Sequence, residues 1–448
     1  MTGTENTTTL RRLAVALTAS TLVCVPFGTS TTSDPGIVRE GQGQVEGEEH
    51  EGRAPTEVEL TPSVEAAFPR ESFAPGTTAT LVISNRARGL TLQVFRVGPE
   101  RGPTIGNITM NGVAVTPKVA VGSSPARRAV RVGDWPSGLY FARLHAADGR
   151  VGFAPFVVRP RRLGERRVAV VLPTLTWQAY NLRDDDGDGN GDTWYASWDK
   201  RIVGLGRPYM NRGVPNYFRR YDLPFLKWLA RTGREADILA QSDIERAPSA
   251  ASLAAAYDLI VFPGHHEYVT TREYDLIEGY RDLGGNLMFL SANNFFWQVV
   301  RRGNTITKTK PWRYLGRSEA ALLGVQYRGN DSGESRASWT VTGAPATSWV
   351  FAGTKLGPGS KFGDDWGIEI DRTADTSPDD VQVLAEIPDL FGPGFTAQMT
   401  YYETDLGARV FAAGAFSMAG QIDKPQVARV VANVWRKLSD TRLERLPR

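Results

Sequence analysis

The sequence predicts a doubly wound α/β domain preceded by an all-β sandwich, and three observations carry that expectation. Short continuous apolar runs at Val168–Leu172, Ala236–Ala240, Leu259–Phe262 and Leu287–Leu290 suit strands buried on both faces, as in a parallel sheet. Helical periods separate those runs, and the alternation is that of βαβ units. Before Pro160 the texture differs. Alternating runs at Thr80–Ile83, Thr91–Val97, Gly138–Ala142 and Val151–Val158 are parted by Pro-Gly, Asn-Gly, Pro-Ser-Gly and Asp-Gly turns, the signature of a sandwich. The expected division is a signal peptide over 1–30, a disordered linker over 31–55, the sandwich over 56–162 and the α/β domain over 163–440.

Each element has its own justification. Asp222-Leu223-Pro224 starts a helix through Trp228 and Leu229 that Gly233 closes. Ser242 or Asp243 is the expected cap before the alanine-rich helix near Leu253–Ala256. The central unit is Tyr257–Asn294, where Thr270-x-x-Glu273 reads as a capping box. Tyr274, Ile277 and Tyr280 follow at helical spacing, and Gly284-Gly285 ends the helix. Residues Trp339–Asp371 and Val381–Ala415 return to strand-like texture rich in glycine. A last helix is expected with Asp423 as cap, Pro425 in its first turn and Val427, Val430, Val431 and Val434 on one face.

At 448 residues, 41% hydrophobic and 23% charged, the chain can bury sizeable cores. A net charge of +3 with no long basic block argues against nucleic-acid binding. Arg11-Arg12, the apolar stretch Leu13–Val25 and the small residues after it are laid out like a bacterial export signal, Sec or twin-arginine. The stretch is too short for a comfortable membrane span, so secretion without a stable anchor is expected. The one cysteine, Cys24, lies inside that segment. Cleavage beyond it leaves no thiol for disulfides, nucleophilic catalysis or metal binding.

Chemistry gathers at the carboxyl ends of strands in open α/β sheets. Gly264-His265-His266-Glu267 and Asn293 stand at two such ends. His265 and Glu267 are two apart, so extended backbone aims both to one side and His266 to the other. A histidine and a carboxylate together suit acid–base work or metal binding; an exposed polar turn is the plainer alternative. A separate signal is Asp184-x-Asp186-x-Asp188-Gly189-Asn190-x-Asp192. Oxygen donors at alternate positions with glycine at the sixth match the start of a calcium loop. Position twelve is Tyr195, not Glu, so the EF-hand pattern is incomplete, and a solvated acidic turn is the alternative. Five carboxylates in nine residues repel one another without a cation, which favours calcium.

Four segments occur in an order that resembles a known family. They are Thr176-Trp177-Gln178-Ala179-Tyr180-Asn181, Tyr221-Asp222-x-Pro224-Phe225, Gly264-His265-x-Glu267-Tyr268, and Gly284-Gly285-Asn286 with Asn293 and Trp297. Together, over roughly Val168 to Leu438, they resemble the C-terminal domain of the N,N-dimethylformamidase large subunit. The resemblance implies a glutamine-amidotransferase-like (flavodoxin-like) domain and a mononuclear iron, expected ferric. Tyr180, Tyr221 and Glu267 would be the ligands, and His265 and Asn293 the catalytic pair. It further implies hydrolysis of linear amides and a small second subunit, of which this chain shows no trace. His266 and Val269 depart from the acidic residue and tryptophan of the family pattern, so substrate identity does not transfer.

Two phenolates and a carboxylate form a hard set suited to a highly charged ion. Trp177, Phe295, Phe296 and Trp297 are expected to line the substrate pocket. The rival reading is a secreted binding protein that holds a ligand in this aromatic cleft without turnover. A thiol glutaminase is disfavoured by the missing cysteine, and no Gly-x-Ser-x-Gly elbow occurs. Homo-oligomerisation stays open.

Overall fold

The computed structural model describes residues 63–196, 200–343 and 345–440. The export segment with Cys24 and the linker over 31–55 lie outside the described residues.

The central sheet has eleven strands. Its first five run Asp237–Ala240, Val168–Leu172, Leu259–Phe262, Asn286–Phe289, Arg409–Ala412, all parallel. The apolar runs of the sequence explain this half, because every residue of those strands is buried. The sheet then continues antiparallel through Ala397–Glu403, Gln382–Ile387, Arg336–Val341, Lys361–Arg372 and Gln326–Asn330. The expected doubly wound, glutamine-amidotransferase-like (flavodoxin-like) α/β fold is therefore corrected. The described chain is mostly β, 36% strand against 20% helix. The physical reason lies after Phe289: among the described residues only Arg409–Ala412 rejoins the parallel half of this sheet, and the strands Gln326–Asn330 to Ala397–Glu403 build antiparallel ladders in place of helix-crossed parallel ones.

The strands of the N-terminal region are hydrogen-bonded into one seven-stranded sheet around a core of their own. Its long strand Thr78–Arg96 pairs with Val119–Arg131 along most of its length and with Gly138–His145 from Thr91 onward. Side-chain alternation in Gly138–His145 divides two cores. Tyr140, Ala142 and Leu144 enter this sheet's own core. Leu139 and Phe141 enter a larger core shared with Val170, Phe225, Trp228 and Met288 of the central region.

Helix boundaries follow local chemistry with two corrections. The helix Leu223–Thr232 ends on Gly233 at φ 64°, a left-handed position glycine adopts without strain. The alanine-rich helix Ala250–Ala256 is capped by Ser249, whose side chain accepts from the Ser252 N–H, and not by Ser242 or Asp243. The last helix, Pro425–Ser439, starts from Lys424 rather than Asp423, and buries Val427, Val430, Val431 and Val434 as its spacing predicts. Among the described residues no helix is long and apolar enough to cross a membrane.

Candidate functional site

Beyond strand Leu259–Phe262 the chain crosses the carboxyl end of the sheet as Gly264-His265-His266-Glu267. The alternation read from the sequence places His265 and Glu267 together. Tyr180 donates its hydroxyl to Glu267 Oε2 at 2.8 Å and lies 3.3 Å from His265 Nε2. His265 Nε2 is itself 3.2 Å from Glu267 Oε2 and 3.7 Å from Glu369 Oε2. His265 Nδ1 faces the Ala292 carbonyl at 3.2 Å. A carbonyl only accepts, so Nδ1 carries the proton there and Nε2 faces the site. His266 points away, against the Phe262 ring, and burial pushes its pKa down to about 3.

The following strand end clamps this segment. Asn294 Oδ1 accepts from the His266 N–H at 2.9 Å, and the Phe295 N–H donates to the His266 carbonyl at 2.7 Å. The Glu267 carbonyl accepts from Phe296 at 3.1 Å and Trp297 at 2.9 Å. Phe295, Phe296 and Trp297 thus serve the site through their backbone. Their rings are not on the cavity expected from the sequence. Phe295 packs between Phe262 and Phe289, and Phe296 against Tyr327 and Trp297.

A cavity opens beside Tyr180 and His265, lined also by Trp177, Tyr221, Asp222, Glu369 and Phe416. Tyr221 closes the helical turn Phe218–Tyr221, its ring 4.9 Å from that of Phe416. Glu267 and Asn293 stand one layer behind this surface. Glu267 reaches it through Tyr180 and His265, and Asn293 through a side-chain hydrogen bond to Glu369. The Asn293 N–H also donates to Asp371 Oδ1 at 2.8 Å.

Sequence reasoning missed three side chains. Glu369 lies in a glycine-bearing strand without any motif. Asp222 sits inside a quoted segment, yet its carboxylate does not cap the helix it precedes. Its Oδ2 accepts from the Trp177 indole at 3.1 Å, and Oδ1 has no hydrogen-bond partner among the described residues. Tyr195 donates to Glu267 Oε2 at 3.0 Å, and its ring stacks on Tyr180 at 4.4 Å. The one available signal was Tyr195 standing where a complete calcium loop has glutamate.

Electrostatically the site is acid-rich and buried. Burial pushes Glu369 up to about 8 and Asp222 and Asp371 up to about 7. For His265, burial opposes the charge, but the Glu369 and Glu267 carboxylates outweigh it and hold the imidazole up at about 9. The backbone is strained here. Tyr217, Asn293, Phe295 and Ile368 all have φ between 53° and 66°, a region costly for non-glycine residues and worst for a β-branched one.

Oxygen donors from phenols and carboxylates suit a hard cation. Burial and the Glu267 charge push the Tyr180 phenol well above its ordinary value, so a phenolate there calls for a compensating cation. The donors of Tyr180 and Glu267 are of the kind a hard cation takes, and Tyr221 stands on the wall of the same cavity as Tyr180.

The acidic loop lies apart. Asp184, Asp186 and Asp188 bring carboxylate oxygens within 4.8 Å of one another. Asp184 accepts from the Gly187 and Gly189 N–H groups at 2.7 and 2.9 Å, and Asp188 from the Asn190 N–H at 2.7 Å. Gly189 has φ 89°, which the sharp turn requires. Lys200 Nζ sits 2.7 Å from Asp192 and 3.3 Å from Asp188, a cation already within the loop.

Residues 124–429 match the family described as N,N-dimethylformamidase beta subunit-like, C-terminal. The chain belongs to this family. Among curated relatives, the N,N-dimethylformamidase beta subunit of Paracoccus aminophilus is 24% identical over 329 residues, spanning 57% of this chain and 41% of that protein. The N,N-dimethylformamidase beta subunit of an Alcaligenes species is 27% identical over 308 residues, 54% of this chain and 39% of that one. The chain thus spans about two fifths of the length of these relatives. Among solved structures, a superoxide reductase (neelaredoxin) from Ignicoccus hospitalis covers 22% of this chain and 80% of its own length, at 16% identity and a TM-score of 0.15. A likeness at that level carries no argument. The dimethylformamidase-like match reaches into the N-terminal sheet, which the four sequence segments did not.

Proposed function

We propose that this dimethylformamidase-like chain hydrolyses the C–N bond of small linear amides, with Tyr180, Tyr221 and Glu267 holding a mononuclear iron. The supporting observation is the meeting of Tyr180, His265 and Glu267 within 3.3 Å beside a buried cavity. A hard cation at these oxygens supplies Lewis acidity, which polarises an amide carbonyl or acidifies a water. His265, fixed by Ala292 at Nδ1, moves a proton at Nε2 to the leaving amine. Asn293 is the residue the family resemblance offers for a developing oxyanion; its side chain is bonded to Glu369, through which it acts on the cavity. Trp177 and Phe416 exclude water from the cavity and leave room for a small acyl or N-alkyl group.

Export through the Leu13–Val25 segment, a calcium ion in the Asp184–Asp192 loop and association with a small partner subunit complete the proposal; the curated relatives carry the name beta subunit. The test is metal analysis of the purified chain together with an amine-release screen over small amides. One iron per chain and released amine are expected. A protein without metal that binds amides and returns them unchanged would replace the proposal with the binding-protein reading.

A further inference from the structure

Glu267 Oε2 is the most heavily contacted atom of the site. It receives the Tyr180 hydroxyl at 2.8 Å, lies 3.2 Å from His265 Nε2, and receives the Tyr195 hydroxyl at 3.0 Å. The first two contacts come from residues already given roles. Tyr195 has none, and its surroundings are not those of a packing tyrosine on a loop. Its ring stacks on Tyr180 at 4.4 Å with planes 22° apart. Its hydroxyl also meets that of Tyr268, which in turn accepts from the Trp194 indole at 3.0 Å. The backbone behind it is anchored too, because the neighbouring Thr193 hydroxyl donates to the Ala179 carbonyl, one residue before Tyr180.

We propose that Tyr195 is a positioning residue, whose hydroxyl fixes the Glu267 carboxylate and whose ring fixes the Tyr180 phenol. A carboxylate on a short extended segment can rotate about its side-chain torsions, and one phenol donor leaves that rotation open. Two phenol donors and an imidazole hold the same oxygen at three points. Tyr195 adds a second phenol donor to Oε2, and its stacked ring holds Tyr180 in line. Tyr268 and Trp194 orient the Tyr195 hydroxyl in turn. The residue directly follows the acidic loop, so the chain that carries Asp184–Asp192 ends in a group seated on the site.

This inference rests on the amide-hydrolase reading for its functional meaning, and the experiment separates the two. Tyr195→Phe removes the hydroxyl and keeps the stacking ring, so the packing is preserved. Two measurements are made on the full chain and on Tyr195→Phe, Glu267→Gln and the double variant. In the first, metal-stripped protein is unfolded in denaturant. The two substitutions are expected to be non-additive by about tenfold in the unfolding constant, because they break one hydrogen bond to a charged group. In the second, ferric iron is titrated and followed through the phenolate-to-iron absorption band. Tyr195→Phe is expected to weaken iron about tenfold, within the range for partners that orient a metal ligand, and to lower kcat more than it raises KM.

Additive unfolding effects together with unchanged iron affinity overturn the proposal. If the parent chain takes up no iron and releases no amine, the functional reading fails while the unfolding cycle still decides the Tyr195–Glu267 link. Non-additivity then upholds Tyr195 as the residue that positions Glu267, and additivity ends it.

Discussion

At the residue scale the site separates ligands from proton carriers. Glu267→Gln removes an anionic oxygen and preserves shape, so metal content and activity are expected to fall together. His265→Ala is expected to keep the metal and lose rate by a factor of about 10²–10⁴, the usual worth of a positioned acid or base. Tyr180→Phe and Tyr221→Phe should each resemble Glu267→Gln and bleach phenolate-to-iron colour; full metal occupancy in both would end the Tyr/Tyr/Glu assignment. Gly264 gives a sharper structural test. A Cβ there would stand 2.3 Å from Asp222 Oδ1 and 3.0 Å from Pro173 Cγ. Gly264→Ala is therefore expected to cost about 1–3 kcal/mol in denaturant unfolding, the range for overpacking a core. The side chains near the His-x-Glu step were legible because period-two alternation and a strand end dictate them. Glu369 was not. It enters the site from the antiparallel half of the sheet beside Ile368 at φ 66°, and no sequence pattern announces a strained β-branched residue. The aromatic run Phe295–Trp297 was misplaced for a related reason, since Asn293 at φ 53° and Phe295 at φ 58° turn the chain so that backbone, not rings, meets the site.

At the element scale, helix Thr271–Asp282 shows how a correct local signal can serve another end. Thr270 caps it by accepting from the Glu273 N–H at 3.2 Å, as the capping pattern predicts. The Glu273 carboxylate does not reach back. It is fully buried and accepts from Gln241 Nε2 at 3.0 Å. Burial first, and the Glu245 charge second, push its pKa well above its ordinary value of 4.5. The folded state therefore binds this proton more tightly than the unfolded one. Its stabilising share is full below pH 4.5 and is lost as pH rises through the folded value. Glu273→Gln keeps an acceptor for Gln241 and removes the titration, so its melting temperature should gain on the parent between pH 5 and pH 8. An equal difference at both pH values would refute the account. The acidic loop is the second element-scale test. If calcium binds Asp184, Asp186, Asp188, Asn190 and Asp192, excess chelator should lower the melting temperature, and Asp186→Ala should abolish that shift. No change with chelator or added calcium would leave Lys200 as the loop's own counter-charge. The parallel half of the sheet was readable because strands buried on both faces have no polar alternation. The antiparallel half offered no such run: Lys361–Arg372 and Gln326–Asn330 carry glycines, and Ala397–Glu403, though buried, mixes polar with apolar residues.

At the scale of the molecule the decisive feature is the core that the N-terminal sheet shares with the central one. Leu139, Phe141, Phe153 and Val157 join Phe225, Trp228, Val261 and Met288 in one apolar cluster. Both faces of Gly138–His145 and Val151–Val158 are thereby buried, where the alternating texture of the sequence suggested burial of one face. The family match beginning at residue 124 falls inside strand Val119–Arg131, consistent with those two strands belonging to the packing of the central body. A boundary drawn at residue 163 from the change in sequence texture cuts through this core. A fragment covering 163–440 would expose the apolar side chains of strand Asp237–Ala240 and helix Leu223–Thr232 that lie against the N-terminal sheet. It is expected to be insoluble or to melt without a cooperative transition, while the full chain melts as one. Phe141→Ala in the full chain should cost about 3–5 kcal/mol, the usual range for a buried phenylalanine. Because the cluster spans both regions, the loss should appear as one transition moved to lower temperature, with tryptophan fluorescence and far-ultraviolet circular dichroism changing together. Two separated transitions, with only the N-terminal sheet weakened, would show that the shared core does not couple the regions.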